Sequence, residues 1–471
     1  MGKRMRVFLV AAAVVTGAFG DEARWVWYPG DYGIWWGNNL QSERLQWGAR
    51  LTPFWPLYEP HNRVILRKGG LEIPEDDLLE VRCDGNAALC YTGPDGGFRE
   101  SAAIGGRFML PKGSKGIEIR IQNSARPPSV WVKGRYVRSD ATWTANWTMS
   151  GDGARDLPVD SSARFTDPAT PPGLAKLPVV AVEPKWAKPW KGNHLIADFG
   201  EETYGYLKLL DVKGSGAVKI IYAESESEMY AEELTTTEFG ALDAWEQIDL
   251  SATPEYRRAI AYGFRYVHVI PVSGDVTVGG VALDRESKGL AVRGGFRSSD
   301  PELNRIWEVA IRTLELTCRE VFIEGIKRDH WVWSGDAVQS FLMNYYLFAD
   351  NGSVKRTLWA LRGKDPVRRH VNTIMDYTFF WLAAVKDYYL FSGDRAFVEE
   401  IYPAMVTQMD FCLARLDANG MAVRKPGDWV FVDWAPKPLD NNSGPVAFEQ
   451  IMLVRGLEAM ADCAAVCGKP E

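Results

Sequence analysis

Residues 298–314 read SSDPELNRIWEVAIRTL, and the character of the chain changes there. Asp300 offers the side-chain acceptor of a helix N-cap, and Pro301 suits the first helical position, where no backbone donor is needed. Leu303, Ile306, Trp307, Ala310, Ile311 and Leu314 then recur with the i, i+3, i+4, i+7 spacing of an amphipathic helix. Upstream, from Asp21 to about Leu290, the texture is different. Short apolar or alternating runs (64–66, 116–122, 129–132, 217–223, 266–272, 276–282) are punctuated by Gly, Pro, Asp and Asn, the pattern of antiparallel β-sandwiches. Downstream the signal stays helical, in two kinds. Segments 341–348 and 377–391 are apolar nearly all round, whereas 355–362 and 395–416 are one-sided. This alternation suits a double-layered helical barrel with buried inner and wetted outer helices; a bundle or solenoid fits almost as well.

The expected chain is therefore multidomain. A first β-sandwich occupies 21–150, and a Pro-, Ala-, Ser- and Asp-rich linker occupies 151–185. A second sandwich follows over 186–297, and helices fill 298–471. Two to four domains suit 471 residues. Residues 1–20 read as a secretory signal: Lys3, Arg4 and Arg6 precede an apolar run over 7–18, and Ala18 and Gly20 stand before a cut at Asp21. That run is too short to span a bilayer, and no later stretch qualifies, so membrane insertion is not expected. The mature protein is expected to be secreted or periplasmic.

A net charge of −7 and the lack of a basic stripe exclude nucleic acid as a partner. The 19 Trp, 18 Tyr and 20 Phe fill large cores or, as flat platforms, stack on sugar rings. Six Cys in a chain this long make no disulfide scaffold; Cys83 and Cys90 flank Asp84-Gly85-Asn86 and either bridge a hairpin or stay buried thiols. The five His are scattered and no Cys/His set has ligand spacing, so neither a structural metal nor another cofactor is expected.

Between the first two helices lies Ile323-Glu324-Gly325-Ile326-Lys327-Arg328-Asp329-His330-Trp331-Val332-Trp333-Ser334-Gly335-Asp336. Three acids and two Trp in one loop fit glycosidic bond cleavage, in which one carboxyl protonates the leaving oxygen and others bind hydroxyls or activate water. From spacing alone a solvated loop with two buried Trp is the more frequent explanation. The segment, however, resembles the pattern of glycoside hydrolase family 78, the bacterial α-L-rhamnosidases. That pattern places an acid five residues before the catalytic acid and Trp-x-Gly-Asp just after it. The resemblance makes Asp329 the general acid, Glu324 the upstream acid assisting it, Trp333 the stacking Trp and Asp336 a sugar-binding acid, with Arg328 and Trp331 beside them. Asp329 stands where many members carry Glu. The phrases WVWYPGDYGIWWG (25–37), ADFGEETYGY (197–206), YAES (222–225), YGFRYVH (262–268) and GDWVFVDW (427–434) look like the same enzymes.

The resemblance implies an (α/α)6 six-hairpin catalytic barrel and hydrolysis of terminal α-L-rhamnose from plant polysaccharides or rhamnosylated glycosides by an inverting acid/base mechanism. A complete barrel of this kind needs about twice the 174 residues from Ser298 to Glu471. The sequence is thus expected to hold only its first half, with the general base beyond residue 471 and apolar helix faces left uncovered. Rival readings are a uronyl hydrolase or polysaccharide lyase on a similar barrel, or a non-catalytic carbohydrate-binding protein. Tyr377 and Trp381 wall the sugar site or pack in the core. Asp428, Trp429, Asp433 and Trp434 form an acid–aromatic loop suited to a sugar subsite. Glu449 either faces the site or, as the more ordinary role, caps its helix; Glu201 and Glu202 are expected on an exposed turn, and His330 as a structural neighbour.

Overall fold

The computed structural model describes residues 22–42, 63–101, 106–148, 156–162, 164–231, 245–251, 256–258, 261–327, 331–429 and 444–469. The signal segment lies outside the described residues.

The first module is two antiparallel sheets. One runs, edge to edge, Asp160–Ser161, Val26–Trp27, Ser129–Lys133, Asp77–Asp84 and Arg107–Leu110. The other runs Leu157–Pro158, Thr144–Thr148, Arg63–Gly69, Gly116–Gln122, Asn86–Thr92 and Phe98–Ser101. Alternate residues of both, such as Leu79, Val81, Val130 and Val132 against Val64, Leu66, Ile117, Ile119 and Ile121, make the core, as strand periodicity requires. Cys83 and Cys90 are free thiols on different sheets; Gly85, with φ 144°, turns the chain from one sheet to the other, so no hairpin bridge forms. The stretch expected to be a linker supplies strands to both modules: Leu157–Pro158 and Asp160–Ser161 to the first, Val179–Val182 to the second. The Trp residues of this module are mostly core: Trp25, Trp27, Trp131 and Trp143 are buried.

In the second module the strands join one eight-stranded antiparallel sheet. Its spine is the strand His194–Leu210, which pairs with Trp186–Trp190, Tyr256–Arg257, Tyr262–Pro271 and Gly280–Glu286. The sheet folds over its own core of Leu195, Ala197, Phe199, Leu207, Leu209 and partners. The spine bulges: Asp198 pairs with Tyr266 and Thr203 with Phe264, so Phe199 to Glu202 stand opposite Arg265 alone. Bulges of this kind re-aim side chains and let one strand turn a corner.

The helices are α1 (Asp31–Ser42), α2 (Glu226–Tyr230), α3 (Pro301–Thr317), α4 (Ser334–Leu347), α5 (Asn351–Arg362), α6 (Met375–Ser392), α7 (Arg395–Leu413) and α8 (Ala447–Val466). The last six form three hairpins. Helices α4, α6 and α8 pack side by side as an inner layer, and α3, α5 and α7 lie outside them. As expected, α3 opens at Asp300, whose side chain accepts from the Glu302 backbone at 2.9 Å. Its apolar face is bare at one end, where Leu303 and Ile306 are exposed with Val309 beside them, while Trp307 and Ile311 pack on the core and Leu314 is buried; Ile451, Val454 and Leu457 are exposed at the same spacing on α8. Conversely, the one-sided α5 is covered, because α1 packs on it. That contact depends on Gly33, where a Cβ would meet the Arg356 carbonyl at 2.9 Å. A fully buried ion pair, Asp31 to Lys364 at 2.6 Å, ties α1 to the chain just after α5. No helix of the described residues is long and apolar enough to cross a membrane.

Candidate active site

The acidic loop leaves α3 and enters α4. Its base is closed by Glu324 and Trp331, whose backbones exchange hydrogen bonds (Glu324 N–H to Trp331 O, 2.7 Å; Trp331 N–H to Glu324 O, 3.3 Å). Gly325 turns the chain with φ 67°. Arg328, Asp329 and His330 lie outside the described residues, as do Asp433 and Trp434. Lys327 holds the loop to the second module, 3.1 Å from Glu228 and 3.6 Å from Glu224, and Ile326 accepts from the Gly263 N–H at 3.0 Å.

Asn372, which sequence reasoning passed over, clamps the other side. Its Nδ2 donates to the Val332 carbonyl at 3.0 Å and its Oδ1 accepts from the Ser334 N–H at 3.0 Å. It sits at φ 52°, the left-handed conformation that Asn tolerates well. Its place just ahead of the apolar α6 was the available signal.

Trp333 is then set among aromatics in edge contacts: Trp331 (6.4 Å), Tyr377 (6.2 Å) and Trp429 (6.5 Å). Trp429 is held by a parallel bridge to Ile374, with Trp429 N–H bonded to Thr373 O and Met375 N–H to Trp429 O. The Tyr377 hydroxyl donates to Asp336 Oδ2 at 3.4 Å. Burial, then the Asp336 charge, holds the Tyr377 phenol well above its usual range, so it stays protonated. The structure thus brings together Glu324, Trp331, Trp333, Asp336, Tyr377 and Trp429. It parts them from Trp381, which is core and donates to the Leu358 carbonyl at 2.8 Å. Asp428 is also structural: it pairs with Arg415 at 2.6 Å and accepts from the Lys425 N–H.

Each inner helix begins with an acid in its first turn: Asp336 in α4, Asp376 in α6, Glu449 in α8. Glu449 does not cap α8, whose N-cap Val446 makes no side-chain bond; it is fully buried and faces Asp376. Burial raises both carboxyls above their usual range, and the Asp376 charge raises Glu449 further. Two carboxyls facing each other in this way disfavour each other's ionisation. An acid in the first turn of a largely apolar helix was the sequence signal for each.

A cleft of about 870 Å³ opens in front of this wall. Glu324, Trp333 and Asp336 line one side and Glu202, Glu224 and Arg265 of the second module line the other. Glu202 is therefore not on an exposed turn; the bulge of the spine strand carries it into the cleft. Among the described residues no group of three or more His, Cys, Asp or Glu is arranged to hold a metal.

Two family models match the chain. Residues 71–269 match the N-terminal domain of bacteroidetes α-rhamnosidase-like proteins, and residues 292–471 match the six-hairpin glycosidase domain of bacterial α-L-rhamnosidases. The chain thus carries an α-rhamnosidase-like N-terminal domain followed by a bacterial α-L-rhamnosidase six-hairpin glycosidase domain. The second match holds the whole acidic loop and all three inner helices. No curated protein sequence matches. Among solved structures, the chain is similar to the family 78 rhamnosidase of Bacillus sp. GL1 (16% identity, 95% of this chain and 51% of that one, TM-score 0.48). It is also similar to a Klebsiella oxytoca rhamnosidase with rhamnose bound (24%, 68% and 63%, 0.49). A third is the Streptomyces avermitilis α-L-rhamnosidase complexed with L-rhamnose (14%, 87% and 47%, 0.46). The chain spans between about half and under two thirds of their lengths.

Proposed function

We propose that the protein is an exported glycosidase that releases terminal α-L-rhamnose from plant polysaccharides or rhamnosylated glycosides. The observation that carries this reading is one wall of one cleft. Glu324 and Asp336 offer carboxyls there for hydroxyls and developing charge, and Trp333, braced by Trp331, Tyr377 and Trp429, offers a ring face for a sugar. Asp329, two residues before Trp331 in the sequence and matched to the general acid by the resemblance, is the proton donor in this reading. Inversion asks for a second carboxyl positioned to activate water on the opposite face of the sugar. The signal-like residues 1–20 support export.

The test is hydrolysis of p-nitrophenyl α-L-rhamnoside by the protein expressed from its complete open reading frame, with Asp329→Asn alongside. Turnover that falls by a hundred-fold or more in the variant is the expected outcome. Silence of the wild type on this and other rhamnosides, with retention of the glycan on a column, turns the reading towards a binding protein. An ultraviolet-absorbing unsaturated product turns it towards a lyase.

A further inference from the structure

Glu202 faces the acidic loop from the second module. The bulge that presents it is braced on both sides. Asp198 accepts from the Gly200 N–H at 2.6 Å and binds Arg265 Nε and Nη2 at 2.9 and 3.2 Å, while Gly200 adopts φ 85°. From the helical side, Arg312 of α3 donates to the Glu202 carbonyl at 3.0 Å and pairs with Glu201 at 3.2 Å. The backbone is thus fixed by both modules, and the carboxyl is left to the cleft. Its Oε1 is buried and has no hydrogen-bond partner among the described residues. The charges facing it are Glu224, Glu228, Lys327 and Arg265. Both cations are engaged elsewhere, Lys327 with Glu228 and Glu224, Arg265 with Asp198. Burial, then Glu224, pushes the Glu202 carboxyl up to about 8. A carboxyl that keeps its proton near neutrality both donates and accepts, as recognition of a sugar hydroxyl requires.

We propose that Glu202 is a specificity residue, hydrogen-bonding hydroxyls of the sugar to which the terminal rhamnose is attached. The proposal rests on the rhamnosidase reading, in which Glu324, Trp333 and Asp336 take the terminal residue on the facing wall. At about 870 Å³ the cleft has room for a second ring, being near the upper end of the roughly 300–1,000 Å³ of ordinary ligand sites.

The test compares kcat/KM on an α-L-rhamnosyl-(1→6)-glucose disaccharide with kcat/KM on p-nitrophenyl α-L-rhamnoside, using the complete protein. Hydrolysis of the aryl substrate by the wild type reads the activity itself; the ratio of the two substrates reads Glu202. Glu202→Ala is expected to lower the disaccharide-to-aryl ratio about ten-fold, mainly through KM, one lost hydrogen bond being worth roughly that. Glu202→Gln, which keeps a donor and an acceptor, is expected to restore most of it. Equal losses on both substrates, or a Gln variant as poor as Ala, would overturn the proposal. If the wild type is silent on the aryl rhamnoside, the activity reading fails separately. Calorimetric binding of the disaccharide to wild type and Glu202→Ala then decides Glu202: weaker binding by the variant supports the role, and equal or undetectable binding ends it.

Discussion

The Tyr377 ring lies across the first turn of α4 so closely that a Cβ on Gly335 would come within 2.8 Å of its Cε1. The glycine of the Trp-Ser-Gly-Asp sequence is thus a packing requirement of the neighbouring helix. Gly335→Ala must push the ring away and break the bond from the Tyr377 hydroxyl to Asp336. The expected result is a loss of ten-fold or more in kcat/KM on p-nitrophenyl α-L-rhamnoside, with circular dichroism unchanged, since small misplacements of positioning groups are costly. Full activity in the alanine variant would show that Tyr377 does not position Asp336.

Asp376 and Glu449 carry a pH signature. Both folded pKa values lie above the ordinary carboxylate range, through burial first. The folded pair therefore keeps a proton that the unfolded chain gives up above roughly pH 4–5. Stability from this source is complete below that pH and is lost as pH climbs towards the folded values, at up to about 1.4 kcal/mol per pH unit for one proton. Between pH 5 and pH 8 the wild-type Tm should fall, and Glu449→Gln should flatten that fall. Parallel wild-type and variant profiles in thermal melts would rule out a proton retained by this pair.

Removing Asp31 takes the carboxylate from a buried cation. Asp31→Ala leaves the Lys364 ammonium buried without its partner at 2.6 Å, a change that costs about 3–5 kcal/mol in comparable sites. Replacing both residues, as in Asp31→Leu with Lys364→Met, should recover much of the loss. Urea denaturation of the single and double variants checks this; a double variant no better than the single would locate the stability of the α1–α5 contact elsewhere.

The bare stripes on α3 and α8 should govern solution behaviour. Ile306→Gln and Ile451→Lys replace residues that are 56% and 66% exposed, so they cost little stability. Both should raise the monomer fraction of the 471-residue chain in gel filtration. No change in aggregation would mean that these faces are not the adhesive ones.

Much of this architecture was legible because its signals are local. The Asp300-Pro301 start and the 3.6-residue rhythm after it mark where strands give way to helices. The acidic loop resembles a family pattern contained in one short stretch, and that resemblance, not spacing alone, is why Glu324, Trp333 and Asp336 were named together. What escaped depends on distant contacts. Residues 31–42, rich in Gly and Trp, have little intrinsic helix preference; packing on α5 makes them helical. Glu202 looked like part of a surface turn because a bulge gives no periodic signal. Cys83 and Cys90 looked like hairpin neighbours because the sequence does not reveal that the chain changes sheets between them. Asn372 is one polar residue in a short connection, and only its two bonds to the motif give it meaning.

The Asp31–Lys364 pair also has a consequence for the order of assembly. Its two ends come from opposite parts of the chain, so the segment carrying Asp31 emerges early and finds its counter-ion only after both β modules and the first helices exist. Contacts of such long sequence separation form slowly, because the loop between them must be closed first. The strip of chain around α1 is therefore a late-fitting latch, and a growing chain that pauses before Lys364 appears would leave that latch open to proteases and chaperones.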